Sequence, residues 1–300
     1  MPRMRIALAS STAVPAQFKD DQMVADALAD RDVLVEIIPW DRPRARWDGF
    51  DLVVVRSVWD YAFHHEEFVD WAEGLDTPMH NPADMIRWNS DKRYLADLGR
   101  AGIRVVETEY VPPGIEPTAI DREVVVKPTV SGGARDTGRF AAEESDAAYA
   151  LIATIHEKKK TAMVQPYNAS VDAIGETAVV MIDGAFSHAL RKGVVLNPNE
   201  VAPVRDDDLA AAEAMYDPDL VGPGAASQAE LEAAAEIVAA VEERFGVRPL
   251  YARVDLLMGE DGAPELIELE AIEPNLYHEL VPGSAERFAD AIVRRAEASS

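Results

Sequence analysis

Residues 251–271 read YARVDLLMGEDGAPELIELEA, two runs of alternating polar and apolar side chains separated by Asp261-Gly262. An aspartate–glycine pair tolerates the positive backbone angles of a tight hairpin turn. Strands at Tyr251–Met258 and Glu265–Ala271, paired about a turn centred between Asp261 and Gly262, place Asp255 opposite Glu268 and Arg253 opposite Glu270. Side chains alternate by two along a strand, so these four share one face, and Val254, Leu256, Ile267 and Leu269 cover the other. Three carboxylates converging on one face repel each other unless a cation neutralises them. An all-oxygen donor set suits magnesium bridging nucleotide phosphates. Arg253 adds a positive charge able to stabilise a transferring phosphoryl group. The competing reading is a water-facing edge hairpin with ordinary surface ion pairs.

The rest of the chain bounds what such a hairpin serves. Three hundred residues, 48% of them hydrophobic, are enough for a substantial core and point to two or three lobes. The 29 Lys+Arg against 54 Asp+Glu give a net charge of −25, a field that repels polyphosphate backbones and anionic membranes. Neither nucleic acid nor a membrane is an expected partner, whereas a small anionic substrate can bind where a few cations converge. The absence of cysteine excludes disulfides, thiolate metal sites and a cysteine nucleophile. The opening MPRMRIALAS is too short in apolar residues for a signal peptide, and no apolar run approaches a bilayer span, so a cytoplasmic protein is expected. Composition leaves the oligomeric state open, a homo-oligomer included.

Short buried strands at Ile6–Ala9, Val33–Ile38 and Leu52–Val55, with a helix over Asp21–Asp30, form a βαβ opening. In a parallel sheet the loops at Ser10–Ser11 and Arg56–Tyr61 fall on the carboxyl edge, which ligands favour. Ser90 reads as the N-cap of a helix from Asp91 to about Arg100, and a strand is expected near Val105–Thr108. VVVK, an SGG turn, GRF, a helix over Asp146–Glu157 and AMVQPY follow. Asp183-Gly184 signals a hairpin between Ala178–Ile182 and Ala185–Leu190. Residues 193–227, with four prolines, read as a long loop or lid and not a core element; Gln228–Arg244 and Ser284–Glu297 read as helices. The expected divisions are 1–87, 88–170 and 171–300.

Lys127 leaves a buried strand just before Ser131, Gly132 and Gly133, a loop whose amides can approach phosphate oxygens; a lysine in that position is also common in a purely structural role. Lys92 sits in the expected first helical turn, where a cation is unfavourable with the helix dipole unless an anion is near. Gln165, Pro166 and Tyr167 end a strand at a proline, leaving backbone groups free for a flat base, and Glu176 could take ribose hydroxyls. Arg191 and Lys192 could reach terminal phosphates, Lys192 joining Arg253 as a candidate catalytic residue. His188 reads as structural and Lys158–Lys160 as a solvated helix end.

The ordered set of Lys92, VVVKP with SGG, VQPY, the GE pair at 175–176, ARVDLL and LIELEAIEPN resembles the ATP-grasp superfamily over about residues 88–276. The resemblance implies an α/β architecture in which an N-terminal βαβ domain is followed by two lobes clamping ATP. It implies Lys92 and Lys127 on the phosphates, Gln165–Tyr167 as the adenine hinge, and Asp255, Glu268 and Glu270 on two magnesium ions, with Arg253 as the catalytic arginine. Many relatives carry Asn where this chain has Glu270. Within the superfamily, FDLVVVRSVWDY, WNSDK, VVKPTVSGGA, VQPY and SHALRKG resemble the cyclo-ligases that close O-ureido-D-serine to D-cycloserine. That resemblance implies an acyl phosphate, ring closure by a nitrogen of the same molecule, and loss of carbon dioxide and ammonia. Arg56, Trp59, Asp60 and Tyr61, with Glu273 and Asn275, are the candidates for recognising the amino acid. An intermolecular amino-acid ligase and a non-catalytic nucleotide-binding regulator are the other readings.

Overall fold

Strand β1 (Arg5–Ser10) carries Ile6, Ala7, Leu8 and Ala9 in full burial, because helices cover both faces of the parallel sheet it centres. The computed structural model describes residues 3–14, 18–42, 45–194 and 220–299. Helix α1 (Asp20–Ala29), β2 (Leu34–Pro39), β3 (Leu52–Val55), α2 (His65–Glu73) and β4 (Met79–His80) complete the first sheet, all parallel in the order β2-β1-β3-β4. The loops after β1 and β3 leave from the carboxyl edge, as the βαβ reading requires.

Two short helices follow, α3 (Ala83–Asn89) and α4 (Tyr94–Arg100). The single helix capped by Ser90 is therefore corrected. Ser90 ends α3 with helical angles, and its hydroxyl donates to the Arg87 carbonyl at 2.9 Å. Asp91 Oδ1 accepts from the Arg93 amide at 3.0 Å, a side-chain turn that competes with helix continuation. The Lys92 amide donates across to Thr129 O at 2.8 Å, so Lys92 lies in the break between the helices and not in a first turn.

The second sheet is antiparallel, order β5-β8-β6-β7, from β5 (Glu109–Val111), β6 (Val124–Pro128), β7 (Gly138–Phe140) and β8 (Ala162–Pro166). Helix α5 (Ser145–Glu157) seals it through Leu151, Ile152 and Ile155 against Val124, Val126 and Phe140. The strand expected at 105–108 begins at Glu109 instead, because Val105 makes a separate parallel bridge to Leu266.

After α6 (Ser170–Ile174), strands β9 (Glu176–Ile182), β10 (Ala185–Lys192), β11 (Val221–Gly224), β12 (Tyr251–Met258) and β13 (Pro264–Glu270) form the third sheet, order β11-β10-β9-β12-β13. Asp183 and Gly184 turn between β9 and β10 with φ of 51° and 77°, as their sequence signals. Helix α7 (Gln228–Phe245) packs on this sheet. Of the stretch read as a lid, residues 195–219 lie outside the described residues; Val221–Gly224 is an edge strand with Val221 buried, which corrects the reading of the whole stretch as loop. The last helix, α8 (Ser284–Ser299), returns to the first sheet: Phe288 and Ile292 share a core with Ile6, Leu8 and Leu28 as well as Val180 and Tyr251.

Candidate active site

The hairpin of β12 and β13 pairs Arg253 with Glu270 and Asp255 with Glu268, the register read from the sequence. Nearer the turn the pairs are Leu256–Leu266 and Met258–Pro264, one residue out of step, and a bulge between Asp255 and Leu256 absorbs the difference. Leu256 and Leu266 therefore fill the apolar face, while Ile267 lines a cavity beside Leu257, which corrects its assignment to the core. Because β13 is a sheet edge, its outer backbone groups need other partners. Asn89 supplies them on both sides of Glu270: Nδ2 donates to Leu269 O and Oδ1 accepts from the Ala271 amide, both at 2.8 Å. The Leu269 amide donates to the Tyr94 hydroxyl at 2.8 Å, and Asn81 Nδ2 donates to Ala271 O at 2.7 Å.

Asp255, Glu268 and Glu270 each present an oxygen within 4.8 Å of the others, a donor set that fits a hard divalent cation. Cations interleave with them. Arg253 Nη2 and Nε each donate to Asp255 at 2.9 Å, Nη2 also pairs with Glu270, and Nη1 donates to Asn275 O at 3.2 Å. Lys192 Nζ lies 2.8 Å from Asp255 and 2.9 Å from Glu176, and Lys92 Nζ lies 3.2 Å from Glu268 while donating to Ser131 O at 2.6 Å. Four carboxylates, at Glu176, Asp255, Glu268 and Glu270, thus face four cations, at Lys92, Lys127, Lys192 and Arg253, all of them lining one cavity except the buried Asp255 beneath it. A balanced site can accept a nucleotide polyanion together with two divalent cations without a net change in charge.

Environment separates the acids. Burial pushes Asp255 toward its neutral form, but Arg253 and Lys192 outweigh it and hold the carboxyl below its ordinary range. Burial likewise opposes ionisation of Glu268, and Lys92 and Lys127 overcome it. Glu270 is pushed up to about 7 by burial, against the pull of Arg253, and Glu273 up to about 8 by burial and then by Glu270. Burial lowers Lys127, with Glu268 opposing. Lys192 is raised because Asp255 and Glu176 exceed the effect of its burial.

The remaining predicted residues divide. Lys127, Ser131, Gly132 and Gly133 line the cavity from the second sheet, as do Gln165, Pro166 and Tyr167. The Tyr167 amide is not free, however: it donates to Glu123 O at 2.9 Å, while Gln165 Nε2 donates to Thr108 Oγ1 at 2.9 Å. Val106, Val125, Leu257 and Ile267 give that end an apolar lining suited to a flat ring. Trp59, Tyr61, Glu273 and Asn275 line the opposite end, Trp59 Nε1 donating to Glu273 O at 3.0 Å. Arg56 and Asp60 do not line the cavity, which corrects their assignment. Arg56 is 1% exposed beneath the sheet edge, 3.4 Å from Asp21 and over the rings of Tyr251 and Phe288; Asp60 accepts from Trp40 Nε1 at 3.0 Å. Arg191 points off the site, donating to Thr177 Oγ1 at 2.6 Å, and His188 is structural as expected, bonded to Leu276 O at 2.8 Å. The Lys158–Lys160 end is not simply solvated: Lys158 pairs with Asp136 at 2.9 Å, and Lys160 donates to Val130 O at 3.0 Å and to Ala62 O at 3.2 Å. Asn81, Asn89, Tyr94 and Arg135 are among the residues of the site that sequence reading missed.

An acidic hairpin facing a lysine-bearing strand and glycine loop across a cleft, above a βαβ domain, defines an ATP-grasp ligase. A profile described as D-cycloserine synthetase DcsG, N-terminal domain, matches residues 6–81. The cycloserine biosynthesis protein DcsG of Streptomyces lavendulae is 33% identical over 276 residues, 88% of this chain and 89% of that protein. The chain belongs to the DcsG family. The crystal structure of D-cycloserine synthetase DcsG matches with a TM-score of 0.86 at 30% identity, covering 97% of this chain and 99% of that one. The D-alanine–D-alanine ligase of Bacillus anthracis complexed with ATP shares the fold at a TM-score of 0.64 and 14% identity, covering 98% and 97% of the two chains. The ATP-grasp ligase PsnB complexed with its minimal precursor, Mg and ADP does so at 0.62 and 16%, covering 97% and 98%. No helix among the described residues is long and apolar enough to cross a membrane.

Proposed function

We propose that this ligase uses ATP and two magnesium ions to activate the carboxylate of O-ureido-D-serine and closes it to D-cycloserine. The observation that carries the reading is the hairpin on which Arg253 binds Asp255 and Glu270 beside Glu268, facing Lys92 and Lys192 in a chain of the DcsG family. Asp255, Glu268 and Glu270 would hold magnesium, which supplies charge neutralisation on the nucleotide phosphates. Lys92 and Lys127 bind phosphate oxygens, the Ser131–Gly133 loop covers them, and the apolar end by Gln165–Tyr167 takes adenine. Glu176 would take the ribose hydroxyls and Lys192 would reach the terminal phosphates, both from the cavity wall.

A carboxylate oxygen of the substrate attacks the γ-phosphorus, the bond to the β-phosphate oxygen breaks, and ADP leaves. Arg253 answers the charge on the transferring group. The ureido nitrogen bonded to oxygen then attacks the acyl carbon, loses its proton and expels phosphate, closing the isoxazolidinone. Water cleaves the carbamoyl group, giving carbon dioxide and ammonia. Holding the nucleophile near its target is the main contribution to ring closure. The test supplies ATP, magnesium and O-ureido-D-serine to the purified protein. ADP, phosphate and cycloserine should form in equal amounts. ADP without cycloserine would remove the substrate and keep the ligase; ADP release strictly dependent on an added amine would make it an intermolecular ligase; ATP binding without turnover would make it a regulator.

A further inference from the structure

Arg135, in the glycine-rich loop between β6 and β7, lines the cavity at the end shared with Trp59, Tyr61 and Glu273, and is only 8% exposed. Its Nε and Nη1 find no hydrogen-bond partner among the described residues. Leaving such donors unpaired in a buried place is unfavourable, so their place calls for an acceptor. The guanidinium carbon stands 4.5 Å from the centroid of the Phe63 ring, a contact that occupies its flat face and leaves the in-plane N–H fork for a planar anion.

The backbone aims it. Gly133, Ala134 and Asp136 take φ of 62°, 57° and 51°, and Asp136 is fastened by Lys158 at 2.9 Å, so the loop turns Arg135 inward from a fixed base. A Cβ on Gly132 would sit 3.9 Å from Glu273 Oε1, which puts the loop directly against that carboxylate. Lys92, Lys192 and Arg253 are committed to the acids around the metal-binding hairpin; Arg135 is not.

We propose that Arg135 grips the carboxylate of the amino-acid substrate, with Glu273 facing its cationic or N–H end, and so selects an acid for activation. This rests on the carboxylate-activating reading above. One carboxylate oxygen lies in the guanidinium fork while the other is left to attack phosphorus.

The test compares full-length wild type with Arg135→Met and Arg135→Lys, varying ATP and O-ureido-D-serine separately and measuring ADP release, with the carboxamide of the same compound as competitive inhibitor. Arg135→Met should raise the amino-acid KM roughly 30-fold or more, the scale of removing one partner of a buried charge pair, and leave the ATP KM within about 2-fold. Arg135→Lys should recover part of the loss. Wild type should prefer acid to carboxamide, and Arg135→Met should lose that preference, which a purely structural role would not produce. A rise in the ATP KM instead would place Arg135 on phosphate and overturn the proposal, as would no change in either constant. If wild type releases ADP with another amino acid, the cycloserine reading falls, and the same comparison on that acid decides Arg135. Wild type binding no amino acid in the presence of ADP and magnesium would overturn both.

Discussion

Replacing Asn89 by alanine should damage the carboxylate hairpin without touching any of its acids. Asn89 is buried and holds Leu269 O and the Ala271 amide, the backbone groups on either side of Glu270, at 2.8 Å each. Alanine leaves one carbonyl and one N–H of an edge strand buried and unpaired. Each such group is unfavourable by about 1–3 kcal/mol, giving roughly 2–6 kcal/mol together. At about 2–4 °C per kcal/mol for a large domain, the unfolding midpoint should fall by roughly 4–24 °C. A second readout follows from position: with β13 loosened, Glu270 is presented less accurately and the magnesium concentration for half-maximal ADP release should rise several-fold. Thermal unfolding and a magnesium titration well below the midpoint measure the two effects. A midpoint within about 2 °C of wild type together with an unchanged magnesium requirement would refute the claim that Asn89 holds the hairpin.

Lys192→Met should lower kcat by about 100- to 1,000-fold, the scale of removing one preorganised charge from a transition state, and retention of activity would remove Lys192 from the phosphate end. Ser227→Ala breaks the capping box in which Ser227 Oγ accepts from the Glu230 amide and Glu230 returns the bond; about 1 kcal/mol of stability should be lost in denaturant titration, with kcat unaltered. Two buried histidines should withdraw part of the fold's stability as pH falls below neutrality. Burial lowers the pKa of both His188 and His278, so the unfolded chain takes up protons the native one refuses, and stability falls as pH drops through the unfolded value near 6.5. Between pH 8 and pH 6 this amounts to at most about 0.8 kcal/mol per histidine. Asp20, Glu270 and Glu273, raised by burial to about 6, about 7 and about 8, work in the opposite direction: each binds a proton in the native state first, Asp20 returning about 0.4 kcal/mol over the same range and the two glutamates more. Denaturant midpoints at the two pH values isolate the histidines by comparison: a His188→Gln, His278→Gln double variant should gain more stability than wild type on passing from pH 8 to pH 6, and equal changes would contradict the assignment.

The hairpin was legible because strand alternation is a local rule, and three acids on one face of two amphipathic strands leave few arrangements. Its register was right at the site through a compensation that no periodicity reveals: the turn centres on Asp261 and not between Asp261 and Gly262, and the bulge at Asp255–Leu256 restores the step, which also sends Ile267 to the cavity. Lys92 was identified from its neighbours in sequence, yet its placement comes from a helix break supported by Asp91 and Thr129, partners that only the fold brings together. The loop after β3 was correctly located at the sheet edge, but direction is not a property of location: Trp59 and Tyr61 turn to the cavity while Arg56 turns down toward Asp21 and Phe288. Asn81 and Asn89 gave no signal, since an asparagine bonding to a distant strand edge is indistinguishable in sequence from one in a turn. Arg135 had one available cue, its place directly after SGGA in a loop already assigned to anions.

The most direct test of the central claim, that this site activates a carboxylate through an acyl phosphate, follows oxygen. O-ureido-D-serine labelled with oxygen-18 at both carboxylate oxygens is turned over with unlabelled ATP in unlabelled water, and phosphate and product are analysed by mass spectrometry. Attack by the carboxylate on γ-phosphorus predicts one labelled oxygen in each inorganic phosphate and one in the ring carbonyl. Unlabelled phosphate formed together with cycloserine would contradict it.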